Sequence, residues 1–388
     1  MQNRVRTNGR AMTLGLAAAT VAVAGMLWPL TASAKVTLVE RVGQKETKLA
    51  IYGFGQFEAR GGDGQSAEGG TYFQAQRIRI GFNYTYGHMF SKLFLDFNQS
   101  WTDNSGGLPK AIKDAFVGYR WSDAAFIRLG VIKTPIGMSF TEPGWNLDIV
   151  ERSGLDKNLL LERDFGVLLS GRLIGQPNKI HTTGFEMGQE QQGYGLGYDI
   201  GVFDPAGRSG AVTWDKSLLG DALAYAGRLS YDWGPEFHFE IGYGLSQEAG
   251  GKNTEDYKVY SAGWASELWQ YGLELKAQYT NGTDILGIKD LKQHTLALTA
   301  GYMIHPQLEA VVKYYDASAD NPTKGTSSIT NTYIGLNFYI DPISPKHRNL
   351  QRARIMLNYI LAGGDTDHWT GKWGYLDDGW VLQWQYKF

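Results

Sequence analysis

Residues 379–388 alternate between two kinds of side chain without interruption. One parity is mostly polar, and the other is wholly apolar, with Trp380, Leu382, Trp384, Tyr386 and Phe388. Successive side chains of a β-strand point to opposite faces, so this segment predicts a strand with one apolar face. Such a strand suits a closed barrel in a lipid bilayer, where every backbone group must be paired and no edge stays open.

The first residues predict a cleaved export signal. Three arginines precede a long apolar stretch, and Ala32-Ser33-Ala34 fits a cleavage site for small residues. The alternative is a single transmembrane anchor, because the apolar stretch is about long enough to span a bilayer. The cleavage pattern favours the signal. The predicted organisation is a signal peptide at 1–34, a short N-terminal segment at 35–48 and a barrel at 49–388.

Composition narrows the chemistry that the chain can perform. It contains no cysteine, which excludes disulfides, iron–sulfur clusters and thiolate catalysis. The seven histidines form no ligand-spaced pair, and no metal, nucleotide or catalytic motif accompanies them. The sequence therefore predicts no cofactor, no enzymatic activity and no nucleic-acid partner, and an outer-membrane barrel enzyme remains the alternative from another class.

Alternating segments of about ten residues recur along the whole chain, as in transmembrane barrels. Short turns and long polar loops follow them in turn, except that the connection 174–192 is long where a short turn is expected. The sixteen predicted strands lie near 49–60, 72–86, 89–101, 111–121, 125–133, 163–173, 193–203, 222–232, 236–246, 257–268, 271–281, 291–304, 307–317, 328–340, 350–362 and 379–388.

Charges in these segments fall on the parity opposite to the aromatic residues. Sixteen strands enclose a lumen too wide to fill with apolar side chains, so the polar face would line a wet interior. Lys113 and Lys258 are assigned to the outward parity near strand ends, where long side chains can reach water. A soluble β-sandwich or propeller would show the opposite polarity. The predicted fold is an all-β, 16-stranded antiparallel transmembrane barrel of the bacterial outer membrane.

The longest predicted loop spans 134–162 and is the third on its side of the barrel. Loops of this length are usually functional. Three motifs lie within or beside it: Gly130-Val-Ile-Lys133-Thr-Pro135-Ile-Gly137, Glu151-Arg152-Ser153 and Arg163-Asp164-Phe-Gly166-Val-Leu-Leu-Ser170-Gly171. In these motifs the chain resembles the phosphate-selective porin O/P family. The resemblance implies a homotrimeric channel, a third loop that folds inward to constrict the barrel, and passage of inorganic anions such as phosphate.

Basic residues on the inward parity outnumber acidic ones there, which predicts a lumen that attracts anions. The inward acids are Glu58, Asp96, Asp114, Asp164, Glu240, Glu274 and Glu309. The candidate pore and anion-binding residues are Arg77, Arg79, Arg120, Arg128, Lys133, Arg152, Lys157, Arg163, Arg172, Arg228, Lys276, Lys313, Arg352 and Arg354. Arg152 and Arg163 have a second interpretation, because adjacent carboxylates would let them tie the third loop to the wall.

The sequence thus predicts an outer-membrane channel for passive diffusion of small hydrophilic solutes. Preference for anions is the first expectation, and selectivity for phosphate is the finer one. A general porin without a phosphate site remains open. Acidic outer loops could contact lipopolysaccharide through shared divalent cations, and the alternative for each acidic residue is an ordinary solvated loop position. Phe388 resembles the C-terminal signal that the outer-membrane assembly machinery reads, and it would meet the first strand to close the ring.

Overall fold

The structure is a computed structural model. It describes residues 36–42, 45–62, 70–99, 111–152, 163–175, 194–204, 222–234, 236–247, 255–342, 352–364 and 374–388. The predicted signal peptide, Lys157 and most of the connection 174–192 lie outside these ranges.

Seventeen strands are present in the described parts of the chain. They are β1 (Val36–Val42), β2 (Lys45–Gly62), β3 (Tyr72–Tyr86), β4 (Met89–Asp96), β5 (Ile112–Ser122), β6 (Ala125–Lys133), β7 (Arg163–Arg172), β8 (Tyr194–Phe203), β9 (Ala224–Trp233), β10 (Phe237–Ser246), β11 (Tyr257–Leu268), β12 (Leu273–Thr283), β13 (Lys292–His305), β14 (Leu308–Asn321), β15 (Gly325–Tyr339), β16 (Ala353–Gly363) and β17 (Gly379–Lys387).

Helical structure is limited to short turns in these same ranges. One four-residue helix, α1 (Met138–Thr141), follows β6, and 3-10 turns cover Phe97–Gln99, Trp269–Tyr271 and Ile285–Gly287. No described helix has the length and apolar character needed to cross a membrane.

The strands from β2 to β17 form a closed antiparallel ring. Each pairs with the next along the chain, and β17 pairs with β2. At the closing seam, Phe388 and Gly53 exchange two backbone hydrogen bonds of 3.0 Å. Gly53 is required there, because a Cβ would lie 2.5 Å from the Phe388 ring. The predicted 16-stranded barrel and the closing role of Phe388 are confirmed.

The remaining strand, β1, was not predicted. It folds back antiparallel on the start of β2, from Val36 opposite Ile51 to Val42 opposite Lys45. Because β17 reaches β2 only from Phe54 onward, β1 covers the part of that edge that would otherwise be unpaired. The sixteen predicted segments all appear as strands, and Tyr72–Tyr86, Ala125–Lys133 and Tyr257–Leu268 have the predicted bounds.

The polarity of the barrel is the reverse of that in a water-soluble protein. In β10 the outward Phe239 is 47% exposed, whereas the next residue, Glu240, is 1% exposed. The same alternation exposes Phe237, Ile241 and Tyr243 on the outside. A continuous outer belt of apolar and aromatic side chains matches a hydrocarbon environment, and the polar residues point inward.

Lys113 corrects the predicted parity of β5. It was assigned to the outer face, but it is 2% exposed, and its Nζ lies 3.9 Å from the Asp96 carboxylate. The register between β4 and β5 shifts between Phe94 and Leu95, so Lys113 is an extra residue in a β-bulge. A bulge re-aims side chains locally, and strict alternation therefore fails at this position. Lys258 is exposed, as predicted.

Candidate functional site

Residues 134–152, called here the third-loop segment, leave β6 and contact inward-facing side chains of distant strands. The Gly137 N–H donates to Ser261 Oγ of β11 at 3.2 Å, and the Ser139 N–H donates to Gln278 Oε1 of β12 at 2.7 Å. These contacts place the start of the segment against the inner wall across from its origin.

Small residues on that wall make room for apolar side chains of the segment. A Cβ on Gly263 would lie 2.9 Å from the Met138 Cβ, and one on Gly242 would lie 3.5 Å from Ile136 Cγ2. Ile136, Met138 and Phe140 are buried among inner-wall residues. Gly137 has a φ of 79°, which lets the chain turn just before α1. Burial of apolar surface therefore holds the segment against these wall residues, in addition to the hydrogen bonds.

Polar side chains of β15, β16 and β17 hold the other end of the segment. Arg354 donates to the carbonyl oxygens of Trp145 (3.1 Å) and Leu147 (2.7 Å). Asn337 Nδ2 donates to the Asp148 carbonyl at 2.8 Å, and Asn358 Oδ1 accepts from the Val150 N–H at 2.9 Å. These contacts satisfy loop backbone groups that would otherwise be buried without partners. Arg354, predicted to bind anions, fastens the loop through these contacts.

Lys276 of β12 fastens the segment through charge. Its Nζ lies 2.9 Å from Glu142 and 2.8 Å from Asp148, both in the segment, and 2.9 Å from Glu274 on its own strand. Burial raises the pKa of Glu142, and the neighbouring Lys276 ammonium opposes that rise. Three carboxylates surround this one ammonium, so Lys276, predicted to bind anions, ties the segment to β12.

Five of the other predicted bases pair with carboxylates on strands one or two positions away. Asp199 and Asp232, which the sequence analysis did not place among the inward acids, account for three of these pairs. The pairs are Arg79–Asp96 at 2.8 Å, Arg163–Asp114 at 2.7 Å, Arg172–Asp232 at 2.5 Å, Arg228–Asp199 at 2.7 Å, Arg228–Glu240 at 3.1 Å and Arg128–Asp199 at 3.5 Å. These side chains, predicted to bind anions, therefore cross-link strands inside the wall.

Three predicted bases differ from all of these, and together they form what we call the cationic flank. Within the described part of the chain, Arg77, Lys133 and Arg152 form no ion pair, and neutral oxygen atoms hold each of them. Arg77 Nη1 donates to Gln56 Oε1 at 2.5 Å, and Lys133 Nζ donates to the Phe140 carbonyl at 2.7 Å. Arg152 donates to the carbonyls of Ser139, at 2.7 Å, and Glu142. The atoms that orient these cations are neutral, and nearby carboxylates, such as Glu151 for Arg77 and Glu142 for Arg152, act on them without forming an ion pair.

The cationic flank lies where the third-loop segment passes β3. Gly144 of the segment lies beside Arg77 and Arg79. A Cβ on Gly144 would be in van der Waals contact with both, 3.5 Å from Arg77 Nε and 3.6 Å from Arg79 Nη1. Burial lowers the pKa of Arg152, and the positive charges of Arg77 and Arg79 lower it further. Like charges are thus gathered at one place. Guanidinium groups with unused N–H donors bind oxyanions in bidentate geometry.

The remaining predicted residues lie elsewhere. Arg120 is half-buried at a short turn and pairs with Asp123 at 3.2 Å. Lys313 is buried with its ammonium 6.0 Å from the centre of the Tyr333 ring. Arg352 directly precedes β16 and is half-buried. None of the three contributes to the cationic flank, and Lys157 lies outside the described residues.

Two functional contributors were missed from the sequence. Gln56 bridges the segment and the cationic flank, because its amide donates to the Gly144 carbonyl at 3.0 Å while its oxygen accepts from Arg77. Arg60 points inward and pairs with Glu58 at 2.6 Å and with Glu151 of the segment. Strand parity would place both side chains inside. Their partners depend on strand register and loop path, which a single sequence does not supply. The described residues contain no cluster of carboxylates and histidines arranged to hold a metal ion.

No protein-family model and no curated protein matches this sequence. Solved outer-membrane proteins are nevertheless similar in structure. Salmonella typhi OmpF, solved with daunomycin, has a TM-score of 0.61 at 14% identity, over 88% of this chain and 98% of that chain. The anion-selective porin from Comamonas acidovorans has a TM-score of 0.57 at 17% identity, over 88% and 100%. The trimer form of in-vitro folded OmpT, an outer-membrane protein of Vibrio cholerae, has a TM-score of 0.57 at 10% identity, over 88% and 99%. Identities this low establish a shared barrel fold alone.

Proposed function

We propose that this barrel is a passive outer-membrane channel that prefers anions, without catalytic activity. One observation carries the proposal: Arg77, Lys133 and Arg152 converge at the third-loop segment, and neutral acceptors hold them instead of carboxylates. A confined group of uncompensated cations raises the local concentration of anions and repels cations. We infer that the segment that carries Arg152 crosses the interior and narrows the pore beside these charges.

The outer surface supports a location in the outer membrane. It is a belt of aromatic and aliphatic side chains, the surface expected of a barrel in lipid. We also propose a homotrimer, which the trimeric form of the similar Vibrio cholerae protein supports, with Phe388 as a signal to the assembly machinery and lipopolysaccharide as a partner of the acidic loops.

A reversal-potential measurement tests the anion preference. The purified protein is inserted into planar bilayers, and the zero-current potential is read across a potassium chloride gradient. We expect the sign of a chloride-preferring pore. Replacing Arg77 and Arg152 together by glutamine should lower the chloride-to-potassium permeability ratio about threefold or more. Two positive charges that form no ion pair are then lost. Lys258→Gln, on the outer face, is the matched control and should leave the ratio unchanged. A cation-selective wild type would overturn the proposal.

Selectivity for phosphate is the finer part of the proposal. Arg77 and Arg152 are planar bidentate donors, and phosphate offers several acceptor oxygens, whereas chloride offers no directional geometry. We therefore expect phosphate at millimolar concentration to reduce the chloride current through the wild type, and Arg152→Lys to weaken this block although the charge is kept. A current that phosphate leaves unchanged would indicate a general porin with a simple anion preference.

A further inference from the structure

Residues 374–378, which precede β17, lie near the end of the third-loop segment. Tyr375, four residues before β17, is 5% exposed. The Asn331 side chain of β15 forms two hydrogen bonds with the Tyr375 backbone. The Tyr375 N–H donates to Asn331 Oδ1, and Asn331 Nδ2 donates to the Tyr375 carbonyl, each at 2.8 Å. This paired hydrogen bonding fixes both the depth and the orientation of Tyr375.

The residue before Tyr375 permits this close approach. A Cβ on Gly374 would lie 2.2 Å from Asn331 Oδ1, so only glycine fits without moving the asparagine. On the other side, the Tyr375 ring meets the Tyr333 ring edge-on, with centroids 6.0 Å apart. The side chain is thus held by packing as well as by its backbone.

The Tyr375 hydroxyl ends at a carboxylate of the third-loop segment. It donates to Glu151 Oε2 at 3.1 Å and accepts from Arg60 Nη1 at 2.9 Å. Arg60 also pairs with Glu151 Oε1, and Gln76 Nε2 donates to the same oxygen at 3.0 Å. Glu151 therefore has partners on β2, on β3 and on the connection before β17.

The chemistry of this contact keeps the hydroxyl a donor. Burial raises the pKa of Tyr375, and the negative charge of Glu151 raises it further, so the phenol stays protonated. Glu151 immediately precedes Arg152 in the chain, and a fixed Glu151 limits the backbone orientations from which the Arg152 guanidinium can reach its carbonyl acceptors. The charge of Arg152 is then presented from one position instead of many.

We propose that Tyr375 and Arg60 form a latch on Glu151, and that Tyr375 is thereby a positioning residue for Arg152. This inference rests on the proposed function, in which Arg152 attracts the permeating anion. The latch joins the third-loop segment to the residues just before β17.

The first test removes one hydroxyl and keeps the ring. Tyr375→Phe should lower the chloride-to-potassium permeability ratio about twofold and increase open-channel current noise, because Arg152 gains freedom. Tyr333→Phe is the matched control, because it keeps the ring that packs on Tyr375 and removes a hydroxyl that bonds neither Glu151 nor Arg60, and it should behave as wild type. Folding of each variant is checked by the heat-dependent gel shift typical of intact barrels.

A double-mutant cycle identifies the residue through which Tyr375 acts. In an Arg152→Gln background, Tyr375→Phe should cause no further change in permeability ratio or noise, because the positioned group is already gone. If Tyr375→Phe changes the permeability ratio and the noise equally in the wild type and in Arg152→Gln, Tyr375 does not act by positioning Arg152. Current noise still reports this coupling if the wild-type pore proves not to prefer anions, so the two proposals can fail separately.

A disulfide tests the placement of the connection without any transport measurement. The wild-type chain has no cysteine, and the ideal Cβ at Gly374 lies 3.2 Å from Asn331 Cγ, so cysteines at both positions are within bonding reach. Gly374→Cys with Asn331→Cys should oxidise within the folded barrel and give a reduction-sensitive mobility shift. The matched pair Gly374→Cys with Tyr333→Cys should cross-link much less. Failure of the first pair to oxidise would overturn the placement of Gly374 beside Asn331, on which the position of Tyr375 depends.

Discussion

The two flanks of the third-loop segment use the same kinds of side chain in opposite ways. On the flank that faces β11, β12 and β15–β17, Lys276 is surrounded by three carboxylates, and Arg354 with two asparagines binds loop backbone. On the flank that faces β3 and β6, Arg77, Lys133 and Arg152 are held by uncharged oxygens. We call the first the sealed flank, and the second is the cationic flank.

The difference shows what a buried base contributes in each setting. A cation matched to a carboxylate fixes geometry, and its field is cancelled a few ångströms away. A cation oriented by carbonyl or amide oxygens is equally well placed but keeps its field for a solute. The partner of a base, and not its inward direction alone, therefore decides whether it serves the structure or the pore.

The largest expected effect comes from breaking the sealed flank. Lys276→Met leaves Glu142, Asp148 and Glu274 without their shared ammonium, and removing one partner of a buried ion pair costs about 3–5 kcal/mol. We expect a lower midpoint of urea unfolding and a higher conductance, because the third-loop segment loosens. Lys258→Met, on the outer face, is the matched control. An unchanged midpoint together with unchanged conductance would show that the hydrogen bonds from Arg354 and the asparagines suffice.

A smaller expected effect compares a base of the cationic flank with a base that is paired to a carboxylate, through their effects on ion selectivity. Arg152→Gln and Arg163→Gln each remove one positive charge close to the ends of the same loop, but Arg163 is paired with Asp114 at 2.7 Å. After Arg163→Gln, Asp114 keeps Lys92 at 2.8 Å. We expect Arg152→Gln to lower the chloride-to-potassium permeability ratio about twofold and Arg163→Gln to change it much less, since only the first charge is uncompensated.

Equal shifts of the reversal potential would contradict this comparison. They would mean that the pore responds to the sum of its charges and that pairing is immaterial. A larger loss of the chloride-to-potassium permeability ratio in Arg163→Gln than in Arg152→Gln would mean that Asp114 repels anions once Arg163 no longer neutralises it.

The fold was readable from the sequence because strand alternation is local. The outward face of β10, Phe237 to Tyr243, shows its parity within ten residues, and the predicted barrel needed no knowledge of contacts. Alternation failed where the chain departs from it, at the bulge that turns Lys113 inward. The hairpin strand β1 was missed because its short run lacks the aromatic residues that mark the other strands.

For the candidate site, the sequence predicted which side chains point inward but not which partners they have. Parity placed Arg77, Arg172 and Arg228 inside the barrel, but register between strands decides that Asp232 reaches Arg172 and that Asp199 reaches Arg228. The carbonyl oxygens that hold Lys133 and Arg152 belong to a loop whose path is set by packing against the far wall. A basic residue with a neutral partner looks the same in sequence as one with a charged partner.

The smallest expected effect concerns protons on the sealed flank. Burial raises the pKa of Glu142, although Lys276 opposes that rise. A carboxyl group whose folded-state pKa lies above its unfolded value binds more protons when folded, so its contribution to stability is present at low pH and is lost as pH rises through the folded pKa. We therefore expect the midpoint of urea unfolding to fall slightly from about pH 4.3, the ordinary value for a glutamate, toward neutrality.

Glu142→Gln should flatten this profile, because glutamine stays neutral and leaves Lys276 with Asp148 and Glu274. Asp256→Asn, an exposed carboxylate in an outer loop, is the control and should keep the wild-type slope. A wild-type midpoint that instead rises with pH, and a Glu142→Gln variant that loses that rise, would show that Lys276 keeps Glu142 ionised. The sealed flank would then depend on a full ion pair, and the contrast with the uncompensated cationic flank would become sharper still.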